Sequence, residues 1–299
     1  MKADSLVVTG ANGHIGRSFL LANRGARALV RSERAARALA ECAAEVRVLD
    51  LRDADALARA AEGCGAWVHL VGILKETKSS RYADAHERTS EFVARAAERA
   101  GVARVVSLSI LGAAPGSANA CLASKGRADA ILLAGAVPAT VLRVPMVLGP
   151  GEIAAFALRA QASAPFALLV RGGATREQPI DTRDVVTALA LAAAERGAAR
   201  LALDLAGPES LTHRELVARI AHILGKRAPR ILPVPAALAF GAAALLERLA
   251  EPPFTRAMLG VLEHDDAIDP APAAQRLGLT LTPLAETLAH TFAPEKRAA

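Results

Sequence analysis

The chain has 299 residues, of which 53% are hydrophobic, 22% charged and 3% aromatic, and its formal net charge is +6. The length allows one large domain or two small ones, and the apolar fraction excludes an intrinsically disordered chain. Three scattered cysteines, Cys42, Cys64 and Cys121, exclude a disulfide scaffold and a zinc ribbon. We therefore expect a reducing compartment and no metal site.

The positive charge does not by itself indicate nucleic-acid binding. Arginines are spread through Ala-rich stretches and alternate with acidic residues, and a single Trp and a single Tyr offer no stacking platform. The first residues lack the regions of a signal peptide, and the longest apolar run, 234–246, is shorter than the roughly 20 residues of a membrane span. We expect a soluble, cytoplasmic protein that binds no nucleic acid.

Strand and helix patterns alternate along the first half of the chain. The predicted strands cover residues 6–8, 27–31, 46–49, 66–71, 105–108 and 139–144. The predicted helices cover residues 14–23, 32–44, 53–62, 81–100 and 124–133. This alternation indicates the α/β class, with βαβ units in an open, doubly wound parallel sheet.

The pattern changes after residue 150. The remaining predicted elements are helices at 153–161 and 184–195, a seventh strand at 201–205, and helices with Pro-rich joints from Gly207 onward. We expect a dinucleotide-binding Rossmann domain over residues 1–150, completed by about 181–206. Residues 151–180 and 207–299 would form a smaller, mostly helical domain on the substrate side.

Three glycines, Gly10, Gly13 and Gly16, follow the first predicted strand and open the first helix. Gly10 allows a tight turn, Gly13 lets the backbone approach a pyrophosphate, and Gly16 permits close packing of the helix against the strand. Free N–H groups at a helix N-terminus attract phosphate. The spacing therefore predicts a dinucleotide site, and an ordinary Gly-rich turn is the alternative.

The second predicted strand ends in Arg31, followed by Ser32. NAD-binding folds place an acidic residue here to hold the ribose, whereas a guanidinium suits a 2′-phosphate. The sequence therefore favours NADP(H) over NAD(H). A solvated surface arginine is the alternative.

Six segments resemble the extended and atypical branch of the short-chain dehydrogenase/reductase superfamily, to which NAD(P)-dependent epimerases and dehydratases belong. These segments are residues 9–16, 48–53, 69–74, 122–126, 142–151 and 205–212. Within that branch, residues 69–74 and 232–269 resemble the NAD(P)H-binding accessory subunit of respiratory complex I and its bacterial relatives.

The glycine loop, the end of the second strand and the resemblance together predict a set of cofactor contacts. These residues are Gly10, Asn12, Gly13, His14, Ile15, Gly16, Arg31, Ser32, Asp50, Leu51, Leu70, Val71, Gly72, Lys125 and Pro145. The resemblance implies that Asp50 and Leu51 border the adenine and that Lys125 holds the nicotinamide ribose. Simple packing is the alternative for Leu70, Val71 and Pro145.

The same resemblance implies Lys125, Cys121 and Ser109 as the catalytic residues. Family enzymes carry a tyrosine four residues before the lysine, but this chain has Cys121 there. A thiol is shorter than a phenol and a weak hydrogen-bond donor, so a small buried hydrophobe is the alternative for Cys121. Ser107 and Ser117 are alternatives to Ser109.

The only tyrosine, Tyr82, is about forty residues from the expected position, and we do not expect it to replace the missing group. Two functions follow. One is an NADP(H)-dependent oxidoreductase, or an epimerase or dehydratase, acting on a small molecule and weakened by Cys121. The other is a non-catalytic accessory, assembly or redox-sensing subunit of a respiratory or other membrane-associated complex.

An Ala-rich helix is predicted at residues 235–250, with Leu238, Leu245, Leu246 and Leu249 on one stripe. A helix packed within its domain is the favoured interpretation. The alternative is docking onto a membrane surface or onto a membrane-complex partner, which would place the protein at the inner membrane face.

Overall fold

The computed structural model describes residues 5–43, 45–248 and 254–293. The chain divides into two compact units. The first comprises Met1–Arg143, Val185–Asp204 and Arg276–Leu279. The second comprises Val144–Asp184, Leu205–Gln275 and Thr280–Ala299.

The strands in chain order are β1 (Ser5–Thr9), β2 (Arg27–Val30), β3 (Glu45–Val48), β4 (Cys64–His69), β5 (Arg104–Ile110), β6 (Ala139–Val144), β7 (Val147–Leu148), β8 (Phe166–Val170), β9 (Arg176–Glu177), β10 (Ile180–Asp181), β11 (Leu201–Asp204), β12 (Leu211–Thr212) and β13 (Arg230–Val234). The α-helices are α1 (His14–Ala22), α2 (Glu33–Arg37), α3 (Ala54–Ala61), α4 (Thr89–Ala100), α5 (Ala120–Ala134), α6 (Ile153–Ser163), α7 (Thr182–Ala194), α8 (His213–Ile223), α9 (Ala236–Leu246), α10 (Arg256–Leu262), α11 (Ala271–Leu277) and α12 (Leu284–Phe292). A π-helical segment, Ala83–Arg88, precedes α4, and a 3₁₀ turn, Arg171–Gly173, follows β8.

The first unit contains a seven-stranded parallel sheet in the order β11-β6-β5-β4-β1-β2-β3. The chain winds outward from β1 in one direction and from β4 in the other, so the two central strands form a topological switch point. Val7, Val8 and Val68 in these strands are fully buried, as expected for a parallel sheet covered on both faces. The predicted α/β fold is confirmed, and ligands of such folds bind beyond the carboxyl ends of the strands at the switch point.

Several predicted boundaries agree with the structure for local reasons. The Asp53 carboxylate accepts hydrogen bonds from two backbone N–H groups at the start of α3, as an N-cap should. Gly101 adopts a φ of 68° and closes α4.

The second predicted helix, over residues 32–44, is wrong in length, because α2 ends at Arg37. Ser32 caps it as an N-cap side chain, but α2 buries none of its residues. Helices in proteins are stabilised mainly by packing an apolar face, and this one has none to pack.

The second unit contains three two-stranded ribbons, β10-β7, β12-β9 and β13-β8. Its core lies among α6, α8 and α12 and includes Leu158, Leu216 and Phe292. The expectation of helices alone after Gly207 is wrong at β12 and β13. β13 contains Pro233 and pairs with β8, a distant partner that a local pattern does not reveal.

The predicted apolar helix of residues 235–250 is α9, and it is not packed within its unit in the way we favoured. Leu238 and Leu245 are 66% and 62% exposed, and Ala243 is the one buried residue of α9. Leu249 and the end of the predicted helix lie outside the described residues. No helix in the described ranges has both the length and the apolarity needed to cross a bilayer.

Candidate functional site

The glycine loop connects β1 to α1 at the switch point. A Cβ atom on Gly10 would lie 2.5 Å from the carbonyl carbon of Leu70, and Gly10 has a φ of +77°. Only glycine fits both conditions, so the loop lies directly against the chain that leaves β4. Gly13 forms the N-cap of α1 and has no side chain to cap it, which leaves the first N–H groups of α1 available to an anion.

A Cβ atom on Gly16 would lie 2.5 Å from the carbonyl oxygen of Gly10 and 2.6 Å from that of Ala11. The close contact at Gly16 is therefore between α1 and the loop before it, rather than between α1 and a strand as predicted. This contact holds the loop in its turned conformation, since any larger side chain would push it away from α1.

A cavity of about 850 Å³ opens beyond the carboxyl ends of β1, β2 and β4. Ten of the fifteen predicted cofactor-binding residues line it: Gly10, Asn12, Gly13, Arg31, Ser32, Asp50, Leu51, Leu70, Val71 and Gly72. The volume lies within the range of cofactor sites, which is roughly 300–1,000 Å³. The loop backbone, the end of β2 and the segment after β4 thus form one continuous wall.

Three arginines line this cavity, Arg31, Arg52 and Arg88. Arg52 donates to the Asp50 carboxylate from its backbone N–H at 3.0 Å and from its Nε at 3.2 Å. These hydrogen bonds, with the nearby charge of Arg31, hold the pKa of Asp50 below its ordinary value. Arg31 itself is exposed and has no hydrogen bond or ion pair with any residue in the described part of the chain. The cavity therefore contains, at the end of β2, a guanidinium that is not bound to any other side chain of the described residues.

Sequence reasoning missed Arg52, Arg88, Ser79 and Ser80, which also line the cavity. Arg88 forms an ion pair with Asp84 at 3.0 Å, and both belong to the π-helical segment. That segment has a wider turn than an α-helix, so a helical pattern in the sequence does not show which of its residues face the cavity. The position of Arg52 beside Asp50 is the one signal that the sequence offered.

Lys125 lies behind the wall of this cavity. Its Nζ donates to the Leu108 carbonyl oxygen at 2.9 Å, and a Cβ atom on Gly72 would lie 3.3 Å from that Nζ. Burial lowers the pKa of the Lys125 ammonium, against the opposing effect of the Asp129 carboxylate. The lysine therefore places a desolvated positive charge directly beside the backbone that lines the cavity.

Cys121 is fully buried one helical turn before Lys125. Its sulfur lies 3.7 Å from the Ile73 carbonyl oxygen. Burial raises the pKa of the Cys121 thiol to about 11, although the Lys125 charge and a hydrogen bond with Tyr82 act in the opposite direction. The thiol therefore stays protonated near neutral pH and is a weak acid.

Tyr82, remote from Cys121 in the sequence, is brought beside it by the fold. The Tyr82 hydroxyl donates to the Leu74 carbonyl oxygen at 2.8 Å and lies close enough to Cys121 to influence its pKa. Its ring stacks on His86 with 5.5 Å between ring centroids. The phenol thus occupies the surroundings of the Cys121 thiol, where the sequence had not predicted it.

Two buried histidines complete this cluster. Thr9 Oγ1 accepts from Trp67 Nε1 at 3.1 Å and lies 2.8 Å from His69 Nδ1. A hydroxyl has one proton and two lone pairs, so Thr9 can act toward His69 Nδ1 as donor or as acceptor, according to the tautomer of His69. Burial, together with the charge of Lys125, lowers the pKa of His69 and of His86 to about 3. Both rings are therefore neutral at physiological pH.

Ser109 lies on β5 and is 3% exposed. Its hydroxyl is buried and has no hydrogen-bond partner among the described residues, although it is near enough to Asp129 to lower the pKa of that carboxyl. Ser107 is equally buried on the same strand, whereas Ser117 accepts a hydrogen bond from the backbone of Asn119 at 3.2 Å. The structure does not bring Ser109 to the surface of the cavity.

The remaining predicted residues lie outside the cavity lining. His14 and Ile15 begin α1, where His14 is exposed and Ile15 half-buried. Pro145 follows β6 and belongs to the second unit. Within the ranges that the structure describes, no group of three His, Cys, Asp or Glu residues could hold a metal ion.

Comparison with known proteins identifies the class that this sheet and glycine loop define. A family model described as NAD(P)H-binding matches residues 10–165, just over half of the chain. The chain belongs to this NAD(P)H-binding family.

Two relatives extend the match. NADH dehydrogenase (ubiquinone) 1 alpha subcomplex subunit 9, mitochondrial, from Arabidopsis thaliana is 28% identical over 250 residues, which cover 79% of this chain and 62% of the plant protein. The chain therefore spans less than two thirds of that relative. Ceramide reductase from Caulobacter vibrioides is 28% identical over 243 residues, which cover 79% of this chain and 76% of the bacterial protein. These matches confirm the predicted resemblance.

A solved structure shows the same fold over nearly the whole chain. The NADPH-dependent quinone oxidoreductase from Escherichia coli, solved with NADPH, superposes with a TM-score of 0.74 and 23% identity. The superposition covers 96% of this chain and 99% of the oxidoreductase.

Proposed function

We propose that the chain binds NADP(H) in the cavity beyond β1, β2 and β4. The observation that carries this proposal is the combination of a glycine loop whose helix N-terminus has no side-chain cap with the unpaired guanidinium of Arg31. A Cβ atom on Gly13 would lie 3.3 Å from the Gly10 carbonyl oxygen, in the same cavity wall that a pyrophosphate would approach. The residues present thus fit a dinucleotide.

The charges of the cavity support NADP(H) over NAD(H). Arg52 forms an ion pair with Asp50, and Arg88 forms one with Asp84. Among the described residues that line the cavity, this leaves Arg31 as the cation available to a 2′-phosphate. A bidentate guanidinium–phosphate contact is a strong, charge-assisted interaction. Ser32 follows Arg31 and could donate from its hydroxyl to the same phosphate.

We assign the ribose-binding role to Lys125, because its ammonium is adjacent to Gly72 in the cavity wall. A bound nicotinamide supplies a hydride for reduction of a carbonyl group, and the protein must then deliver one proton to the resulting alkoxide. Among Lys125, Cys121 and Ser109, Lys125 has a pKa lowered by burial and gives up a proton more readily than an ordinary lysine. The weakly acidic thiol of Cys121 is the second choice for the proton.

Titration of the protein with NADPH and with NADH, followed by nucleotide fluorescence, tests the cofactor proposal. We expect NADPH to bind more tightly, and Arg31→Ala to weaken NADPH binding about tenfold or more while leaving NADH binding unchanged. Arg24→Ala removes an exposed arginine away from the cavity and serves as the matched control. A preference for NADH, or an equal loss for both nucleotides, would contradict the assignment of Arg31.

A non-catalytic accessory, assembly or redox-sensing subunit of a membrane-associated complex is the second candidate. Three observations favour it: Cys121 stands where the short-chain dehydrogenases that the chain resembles carry tyrosine, Cys121 and Ser109 are buried, and one relative is a subunit of NADH dehydrogenase. The exposed helix α9 is the surface we propose for a partner of such a complex at the inner membrane face.

Turnover separates the two candidates. Purified protein is assayed for NADPH oxidation against a panel of carbonyl compounds, including a lipid ketone because of the relative named ceramide reductase. Steady oxidation that Lys125→Met abolishes would establish a reductase. Cofactor binding without turnover on any member of the panel would favour the accessory function.

A further inference from the structure

The β8–β13 ribbon of the second unit presents an apolar face to solvent. Phe166 and Leu168 on β8 are 54% and 72% exposed, whereas the residues that alternate with them, Ala167 and Leu169, are buried. Leu232 on β13 is the Cα partner of Leu168 and is 38% exposed. We call Phe166, Leu168 and Leu232 the ribbon patch.

Positive charge borders the ribbon patch. Arg230 pairs with Phe166 across the ribbon and lies two residues before Leu232, so it belongs to the same face. Lys226 and Arg227 are exposed on the turn that leads into β13. None of these three side chains has a hydrogen bond or ion pair with a residue in the ranges 5–43, 45–248 and 254–293.

Negative charge is missing from the same stretch of sequence. From residue 225 to residue 246 the chain contains one lysine and two arginines but no Asp or Glu. Two neighbouring acids are already neutralised, since Glu263 accepts from Arg171 at 3.0 Å and Glu247 accepts from Arg256 at 2.9 Å. The ribbon patch is therefore apolar with a rim of uncompensated cations.

The chain continues from β13 directly into α9, which also exposes apolar residues. Leu238 and Leu245, seven residues apart, lie on one face of α9 with Gly241 and Ala242, and all four are exposed. An exposed apolar surface beside unpaired cations has the chemistry of proteins that rest on an anionic bilayer.

We propose that the ribbon patch docks on the surface of an anionic lipid bilayer. Phe166, Leu168 and Leu232 enter the boundary between headgroups and acyl chains, and Lys226, Arg227 and Arg230 meet the lipid phosphates. Transfer of the apolar side chains out of water and attraction of the cations to the anionic surface both favour this contact. The proposal goes beyond cofactor binding and does not depend on it.

Vesicle flotation with the full chain tests this docking. The probes are vesicles of phosphatidylcholine alone and vesicles of phosphatidylcholine mixed in equal parts with phosphatidylglycerol. We expect binding to the mixed vesicles only, weakened by added salt because the cationic contribution is screened. Leu168→Asp should lower binding at least about tenfold. Lys226→Glu with Arg227→Glu should lower it by more than about 30-fold, because loss of the two cations alone removes roughly 1 kcal/mol each and the new carboxylates add repulsion.

Matched controls in the first unit carry the same Leu→Asp change and a double charge reversal of the same size. Leu21→Asp alters a leucine that is 47% exposed on α1, and Arg24→Glu with Arg95→Glu alters two exposed arginines. These variants should bind vesicles as the wild type does. NADPH titration of every variant separates a failure of docking from a failure of cofactor binding.

Three results would overturn the proposal. They are an absence of binding to the mixed vesicles, equal losses in the control variants, and equal binding to uncharged vesicles. A fourth contrary result combines two measurements: the wild type does not bind vesicles, and sedimentation velocity shows a dimer that Leu168→Asp dissociates. A second copy of the chain would then cover the patch.

Discussion

Two regions at the carboxyl edge of the same sheet differ in almost every physical respect. The cavity beside the glycine loop is open, has a volume of about 850 Å³ and exposes backbone N–H groups and the Arg31 guanidinium. The cluster around Lys125 is closed: Cys121, His69 and His86 have 2% or less of their surface exposed, and burial shifts the pKa of each. The open region can receive a charged ligand, whereas the ionisable groups of the closed region are buried away from water.

This difference makes the open cavity suited to binding a dinucleotide and the closed cluster poorly suited to proton transfer. A dinucleotide needs a backbone shape and a few cations, and the open cavity has both. Proton transfer needs an acid within reach of the substrate. In the closed cluster the Lys125 ammonium lies behind the backbone of Gly72, away from the cavity.

The largest expected effect is that of Gly16→Ala in the glycine loop. The new methyl group would overlap the carbonyl oxygens of Gly10 and Ala11, so the loop must move. We expect the free energy of unfolding in urea to fall by about 3 kcal/mol and NADPH binding to fall beyond detection. Gly25→Ala is the control, because a Cβ atom there meets nothing within 4 Å. Normal NADPH affinity in Gly16→Ala would show that the loop does not shape the cavity.

Acid should destabilise the protein through the closed cluster. His69 and His86 have a folded pKa of about 3, against 6.5 for the unfolded groups. The unfolded chain therefore binds more protons between these values, and stability falls as the pH drops from 6.5 toward 3. Each histidine contributes a slope of up to about 1.4 kcal/mol per pH unit.

Urea unfolding of wild type and His86→Gln across this range measures the slope. Removal of one titrating ring should flatten it, with His222→Gln, an exposed histidine on α8, as the control. Parallel curves for wild type and His86→Gln would mean that His86 titrates normally in the folded protein.

Lys125→Met should separate binding from stability. The loss of the ammonium beside Gly72 should weaken NADPH and NADH binding equally, by about tenfold, since both carry the nicotinamide ribose. The free energy of unfolding should stay the same or rise slightly, because an apolar side chain of similar volume avoids the cost of a buried charge. A large loss of stability with unchanged nucleotide affinity would assign Lys125 a structural role instead.

The smallest effect is expected for Cys121→Ala. The thiol is fully buried and packs near the Tyr82 hydroxyl, so its removal should cost about 1 kcal/mol of stability. NADPH affinity should change less than twofold, because Cys121 does not line the cavity. A tenfold loss of affinity would show that the closed cluster and the open cavity are coupled.

Local signals explain which parts could be predicted. Alternating strand and helix patterns, the N-cap at Asp53 and the spacing of Gly10, Gly13 and Gly16 act over a few residues, so the sheet and most of the cavity wall were predictable. The length of α2 was not, because the sequence does not reveal that none of its residues becomes fully buried. The ribbon of β8 and β13 was missed for the same reason, since its two strands meet only in the folded chain.

The sequence by itself determined the doubly wound sheet, the family and the dinucleotide loop, because repeated short-range patterns encode them. The tertiary structure decided that Tyr82 lies beside Cys121, that Arg52 occupies Asp50 while Arg31 remains unpaired, and that Leu168 faces solvent. Each of these depends on contacts or exposure set by segments distant in sequence, and burial then sets the pKa values. The single tyrosine, about forty residues from Cys121 along the chain, lies beside Cys121 once the chain is folded.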